Sequence, residues 1–143
     1  MPRVRTLAAE LPVRLLGWTD HAQVLRLTRS ADIVIVPSLW DEPCATTVLE
    51  ALALGRTVLA LRRGGTPELT VAAGGGGQRL CLYQNLDELL AALHGGDTLP
   101  AAEPAEQSLR TFGGSISAMT DALEVHYRRL QTRASAAEAG RGA

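Results

Sequence analysis

The stretch from Pro37 to Gly55 constrains the fold of this 143-residue chain more than any other. It follows an unbroken apolar run, Ile33-Val34-Ile35-Val36, which is typical of a strand buried on both faces of a parallel sheet. Pro37 ends that run, and the sequence predicts a helix from Thr46 to Leu54, ending before Gly55. An acidic loop therefore lies between a strand end and a helix start, which is where open α/β sheets bind ligands.

Two glutamates, Glu42 and Glu50, flank the predicted helix start with seven residues between them. The amide groups of a helix start favour an anionic ligand such as phosphate. A carboxylate repels phosphate but accepts hydrogen bonds from vicinal hydroxyls, which sugars and ribose both offer. Taken alone, two glutamates at this spacing are more often solvated helix charges. Their sequence context therefore decides whether they form a site.

That context resembles a known family. The matching segments are Pro37-Ser38, Glu42-Pro43, Leu49-Glu50-Ala51, Gly55 and, after an apolar strand, Gly64-Gly65-Thr66-Pro67-Glu68. Together they are similar to the C-terminal, donor-binding domain of retaining GT-B glycosyltransferases, the group 1 or family 4-like enzymes with two glutamates separated by seven residues. The similarity runs from about Val13 to Leu69 and is weaker beyond it; the motifs are specific as a set and not singly.

The resemblance implies roles for the residues around the helix start. Glu50 would hold the ribose hydroxyls of a nucleotide-diphospho-sugar donor. Glu42 would contact the transferred sugar and is the candidate catalytic residue, although the resemblance does not require it to be a nucleophile. The diphosphate would lie near the backbone amides of Cys44, Ala45, Thr46 and Thr47. No metal and no cofactor besides this donor substrate is expected.

Further candidates follow neighbouring strands. Gly64 and Gly65 come after a predicted strand, where the backbone would approach the ligand closely. Asp20 follows the first predicted strand, where it would accept a hydrogen bond from the base, but capping of the next helix is the preferred interpretation. Arg62 or Arg63 would pair with phosphate, with a solvated role as the preferred alternative.

Four short apolar runs are predicted strands: Val13–Trp18, Asp32–Val36, Thr57–Leu61 and Arg79–Tyr83. Predicted helices separate them, at His21–Arg29, Thr46–Leu54 and Pro67–Ala73, and two more follow, one built on Leu86, Leu89, Leu90 and Leu93 and one over Ser115–Arg133. The fold class is therefore α/β, a Rossmann-like parallel sheet of about four strands with helical crossovers. Residues 1–133 are predicted to form this partial domain and 134–143 a disordered tail.

The loops and the last helix carry further local predictions. The glycine run 74–77 is predicted to be a plain turn, and the proline-rich segment 97–105 a loop. The last helix is expected to bury one stripe of side chains: Ile116, Met119, Leu123, Tyr127 and Leu130. The three histidines are expected to be structural, at helix surfaces or ends: His21, His94 and His126.

Composition excludes several classes of protein. Hydrophobic residues make up 46% of the chain, enough for a core, and the net charge of −1 argues against nucleic acid or an anionic membrane as the main partner. The two cysteines, Cys44 and Cys81, have no metal-ligand spacing and are both expected to pack against apolar neighbours. No apolar stretch approaches the length of a membrane span, so a cytoplasmic location is expected.

The departures from the family pattern leave alternatives open. A family domain usually begins with two more strands and a basic segment that neutralises the donor diphosphate, and this chain starts after them. Ala45 replaces a usual glycine, where its methyl group is expected to crowd the site, and Thr57 replaces a frequent proline. The chain is either the donor-binding half of a glycosyltransferase, with another chain supplying the missing half, or a non-catalytic interaction module derived from one. A generic nucleotide-binding α/β domain is a weaker third alternative.

Overall fold

The computed structural model describes residues 12–72, 78–95 and 98–111, together with residues 120, 121, 123–125, 127–129 and 132, which are helical. The elements, in chain order, are α1 (His21–Ser30), β1 (Ile33–Val36), α2 (Thr46–Ala53), β2 (Thr57–Leu61), a 3-10 turn (Thr66–Glu68) that continues into α3 (Leu69–Ala72), β3 (Leu80–Tyr83), α4 (Leu86–Gly95) and α5 (Ala105–Thr111). This alternation of strands and helices confirms the predicted α/β class.

The described sheet has three strands in the order β1-β2-β3, and both neighbouring pairs are parallel. Ile33 of β1 is in register with Thr57 of β2, and Val58 of β2 is in register with Leu80 of β3. All five residues of β2 are buried, as its unbroken apolar sequence predicts for a central strand. The sheet and its crossover helices are those of a partial Rossmann-like domain.

Alternate residues of β2 contribute to two apolar clusters on opposite faces of the sheet. On one face, Val58 and Ala60 pack with Val48 and Leu52 of α2. On the other face, Leu59 and Leu61 pack with Leu89 of α4. The helices α2 and α4 therefore cover the two faces, and the ends of β1 and β2 lie beside the start of α2.

The first predicted strand is not present. Residues 12–20 contain no strand, and Val13, Leu15 and Leu16 are exposed. The reason is a missing neighbour, because no strand in the described part of the chain lies beside the outer edge of β1. The prediction that β1 is buried on both faces is wrong, since Ile33 is 37% and Ile35 45% exposed. These two side chains share the sheet face of Leu59, where α4 packs against β2 and β3 and leaves β1 partly uncovered.

A buried polar network ties the segment after α4 to the core. Arg79 is 7% exposed and donates to Ser108 Oγ at 2.9 Å, and Ser108 Oγ donates to the carbonyl of Leu52 at 2.7 Å. A guanidinium nitrogen of Arg79 also lies 2.7 Å from a carboxylate oxygen of Glu103, close enough for an ion pair although not aligned as a hydrogen bond. Thr57 donates its hydroxyl to the carbonyl of Pro100, which a proline at this position could not do.

The C-terminal part of the chain differs from its prediction in two respects. The expected loop 97–105 is followed by a helix, α5, which the sequence did not reveal. Within the helix predicted over 115–133, the described residues Leu123 and Tyr127 are exposed, so the expected buried stripe is wrong at those two positions. The predicted glycine turn at 74–77 and the predicted disordered tail at 134–143 lie outside the described residues.

Candidate functional site

The candidate site is built where β1 and β2 end at the same edge of the sheet, because the two strands are parallel. The loop that follows β1 carries Asp41 and Glu42, and the turn that follows β2 carries Gly64 and Gly65. The amide of Gly65 donates to the carbonyl of Glu42 at 2.9 Å, and the amide of Gly64 donates to Asp41 Oδ1 at 3.0 Å. The acidic loop is thus held against the second strand's turn.

The two glycines allow this contact because a side chain would not fit. A Cβ atom on Gly64 would lie 2.3 Å from the carbonyl oxygen of Glu42, and one on Gly65 would lie 2.2 Å from that of Pro43. Gly64 also has a φ of 47°, in the left-handed region that favours glycine. The predicted close approach therefore exists between two backbone segments of the protein, while an approach of these glycines to a ligand stays a prediction.

Replacing Gly65 with alanine is expected to lower the free energy of unfolding by about 1–3 kcal/mol, because the new methyl group must displace the backbone of the acidic loop. Urea denaturation would measure the change. The matched control is Gly95→Ala at the end of α4, where a Cβ meets no atom within 4 Å. Equal urea midpoints for the two variants would show that the loop does not need the contact.

Glu42 is half-buried, and its carboxylate is held by two side chains of its own loop. Ser38 Oγ donates to Glu42 Oε1 at 2.9 Å, and Trp40 Nε1 donates to the same oxygen at 2.8 Å. Sequence reasoning missed both partners. The available signal was their position four and two residues before Glu42, which puts a hydroxyl group and an indole N–H in the same short loop as the carboxylate.

The start of α2 is not capped by a side chain, because the N-cap residue is Ala45. The carbonyl of Ala45 accepts the first helical hydrogen bond, from the amide of Val48 at 3.0 Å. Ala45 is buried in the core cluster beneath α2, so its side chain packs into the protein instead of crowding the site as expected. The first-turn amides are therefore not engaged by a cap, as an anion site requires.

The other residues of this segment are exposed: Cys44, Thr46 and Thr47. The prediction that Cys44 packs against apolar neighbours is wrong, because the loop approaches Gly64 and Gly65 with its backbone and leaves the thiol at the surface. Cys81 does pack against the core, beside Leu59, and burial raises the pKa of its thiol. Arg62 and Arg63 are exposed, in keeping with their preferred solvated role.

Glu50 lies on α2 and is paired with a residue that sequence reasoning treated as structural. Its Oε1 is 2.9 Å from His21 Nε2, at the start of α1. Asp20 caps that helix, accepting from the amide of Gln23 at 2.9 Å, which confirms the preferred interpretation of Asp20. The structure therefore places Glu50 beside the start of the helix that Asp20 caps, while any contact of Asp20 with a base stays a prediction.

A family model described as glycosyl transferases group 1 matches residues 1–95. The chain belongs to the group 1 glycosyl transferases. The match contains both glutamates, the acidic loop, the start of α2 and the turn at Gly64-Gly65. It confirms the family inferred from the motifs.

One curated relative of this group 1 glycosyl transferase is an uncharacterized 42.6 kDa protein in the cps region of Klebsiella pneumoniae. The two are 36% identical over 67 residues, which are 47% of this chain and 17% of the relative. No solved structure matches the chain. The shared segment is therefore a small part of the longer protein.

In the described part of this glycosyl transferase chain, no helix is long and apolar enough to cross a membrane. Those residues also include no group of three or more His, Cys, Asp or Glu side chains that is arranged to hold a metal ion. The candidate site thus consists of carboxylates, helix-start amides and the glycine turn. Such a site suits hydroxyl groups and an anion side by side.

Proposed function

We propose that this chain binds the nucleotide-diphospho-sugar donor of a glycosyl transfer reaction at the carboxyl edge of its sheet. The observation that carries the proposal is the pair of glutamates on either side of an uncapped helix start, with Glu42 held in place by the loop and Glu50 on the helix itself. The family match supports a sugar donor as the ligand.

In this proposal each part of the site receives one part of the donor. The first-turn amides of α2 face the diphosphate and stabilise the charge that develops as it departs. Glu50 accepts hydrogen bonds from the ribose hydroxyls, and Glu42 accepts them from the sugar. Gly64 and Gly65 hold the Glu42 loop at the distance that this arrangement needs.

A second candidate function, an interaction module, is favoured by the outer edge of β1. Ile33 and Ile35 of β1 are partly exposed, no strand among the described residues pairs with the outer edge of β1, and an open strand edge is a template for another strand. Another chain that adds a strand at this edge would extend the sheet, and an element of that chain packed on the sheet face would cover the isoleucines. The two functions are compatible, since a donor-binding half also needs an acceptor-binding half.

A cytoplasmic location remains a prediction.

We expect the 143-residue chain to bind nucleoside diphosphates with a dissociation constant weaker than about 1 µM, corresponding to about −8 kcal/mol. The reason is that the described site offers the diphosphate helix-start amides and no buried basic side chain, so much of the ligand charge stays in water. Calorimetry with UDP, GDP and ADP would measure the affinities. Tighter binding would contradict the expectation, and no binding at millimolar ligand would refute the donor site.

We also expect the 143-residue chain by itself to transfer no sugar, because the motifs that it carries, from Pro37 to Glu68, are those of donor binding alone. Incubation with UDP-glucose or GDP-mannose and a set of acceptors, with detection of released nucleoside diphosphate, would check this. Sustained release that depends on an acceptor would show that the chain is an active enzyme alone.

A further inference from the structure

Trp40 is a largely exposed tryptophan whose polar group is nevertheless fixed. The residue is 74% exposed, yet its indole N–H donates to Glu42 Oε1 at 2.8 Å. Ser38 donates to the same oxygen from the other end of the short loop. The chain's other tryptophan, Trp18, is 95% exposed and serves below as the control for substitutions and signals of Trp40.

Two hydrogen bonds to one carboxylate oxygen restrict a side chain that would otherwise sample several rotamers. Hydrogen bonds to an ionised acceptor are stronger than neutral ones, and two of them on one oxygen restrict the rotation of the carboxylate. The backbone of Glu42 is fixed independently, because its carbonyl accepts from the amide of Gly65. Both ends of the Glu42 side chain are thus held before any ligand arrives.

The two oxygens of the Glu42 carboxylate differ in their contacts. Oε1 accepts from Ser38 and Trp40, and neither of these side chains donates to Oε2 in the structure. Oε2 accepts no hydrogen bond from the described residues, so it is suited to a hydroxyl group of a ligand at the carboxyl edge of the sheet. The loop therefore orients one oxygen of Glu42 by engaging the other.

We propose that Ser38 and Trp40 are positioning residues that hold the Glu42 carboxylate toward the transferred sugar, and so set how much the sugar adds to donor binding. The inference rests on the proposed donor site. It differs from a role in folding alone, because a positioning role affects ligands that carry the sugar and spares those that end at the diphosphate. Preorganisation of this kind raises affinity by removing the cost of ordering the side chain on binding.

The contact itself is tested without any ligand, by the indole N–H signals in a ¹⁵N–¹H correlation spectrum. Two such signals are expected from the two tryptophans. Glu42→Gln replaces a charged acceptor with a neutral amide, so the Trp40 indole proton should shift while the Trp18 signal stays in place. An unchanged Trp40 signal would show that the hydrogen bond is absent and would overturn the proposal.

The consequence for binding is tested with paired ligands, UDP-glucose with UDP and GDP-mannose with GDP. Trp40→Phe keeps a ring and removes the N–H, and Ser38→Ala removes the hydroxyl. Each should lower the ratio of sugar-nucleotide affinity to nucleotide affinity about three- to tenfold. This is less than the effect of losing a charged hydrogen bond to the ligand itself, because the substitution acts on the sugar only through Glu42. Trp18→Phe is the matched control. It should leave that ratio unchanged, because any effect on the nucleotide would change the affinities of both ligands of a pair equally.

The outcomes separate this inference from the function on which it rests. If the wild-type chain binds nucleotides and the Trp40→Phe ratio equals that of wild type, the positioning role is wrong and the donor site stands. Equal weakening of both ligands, with a lower melting temperature, would assign Trp40 a structural role instead and would also overturn the proposal. If the wild-type chain binds no member of either pair, the proposed function fails and this inference fails with it.

Discussion

Replacing Arg79 with alanine is expected to destabilise the chain by about 3–5 kcal/mol, the usual effect of removing one partner from a buried ion pair. The substitution leaves the carboxylate of Glu103 near the protein interior without the cation beside it. It also removes the donor that links the residue before β3 to Ser108 of α5. Because small domains are stable by only about 5–15 kcal/mol, the loss should appear as a large fall in the urea midpoint.

The matched control is Arg29→Ala, which breaks the ion pair between Arg29 and Glu106 at the surface. Both of those side chains are more than half exposed, so the loss should stay below about 1 kcal/mol. Comparable midpoints for the two variants would show that the Arg79 network does not anchor the C-terminal segment to the core.

Replacing Glu50 with glutamine is expected to weaken nucleoside diphosphate binding by roughly ten- to a hundredfold, because a hydrogen bond to a charged group contributes about 1.5–3 kcal/mol. The substitution preserves the shape of the side chain, removes its charge and converts one acceptor oxygen into a donor. Folding should change little, since the contact of Glu50 with the exposed His21 is worth less than about 1 kcal/mol. Calorimetry and thermal denaturation on the same samples would measure both quantities.

Glu106→Gln serves as the control for the loss of one negative charge, because Glu106 lies on α5 and is exposed. It should leave nucleotide affinity unchanged. His21→Ala removes the partner of Glu50 without changing Glu50 itself. It therefore distinguishes the structural contact of Glu50 from its proposed contact with the ribose. A lower melting temperature for both Glu50→Gln and His21→Ala, with unchanged binding, would show that Glu50 is a structural residue.

The sequence predicted the elements whose burial depends on local pattern. The unbroken apolar run Thr57–Leu61 predicted the buried strand β2, and the segment from Thr46 to Leu54 before Gly55 predicted the helix α2. It did not predict the exposure of Ile33 and Ile35, because burial of β1 depends on the elements packed around it and not on its own residues. The same dependence explains why the apolar run 13–18 forms no strand.

For the candidate site, the sequence predicted which residues take part but not which side chains they contact. The spacing of Glu42 and Glu50, and the glycines that follow β2, were readable from motifs. The contacts of these residues were not, because His21 reaches Glu50 only through the packing of α1 near α2. The polar network around Arg79 likewise joins positions that are 29 residues apart in sequence, and no local pattern marks such a pair.

The most direct test of the donor site is a nuclear magnetic resonance titration of the ¹⁵N-labelled chain with nucleoside diphosphates, which reports where the ligand binds even when binding is weak. The account predicts that the perturbed amides cluster at residues 38–47, at Glu50 and at Gly64 and Gly65. Saturable shifts confined to another surface of the described fold, or no shifts at millimolar UDP, GDP and ADP, would contradict it.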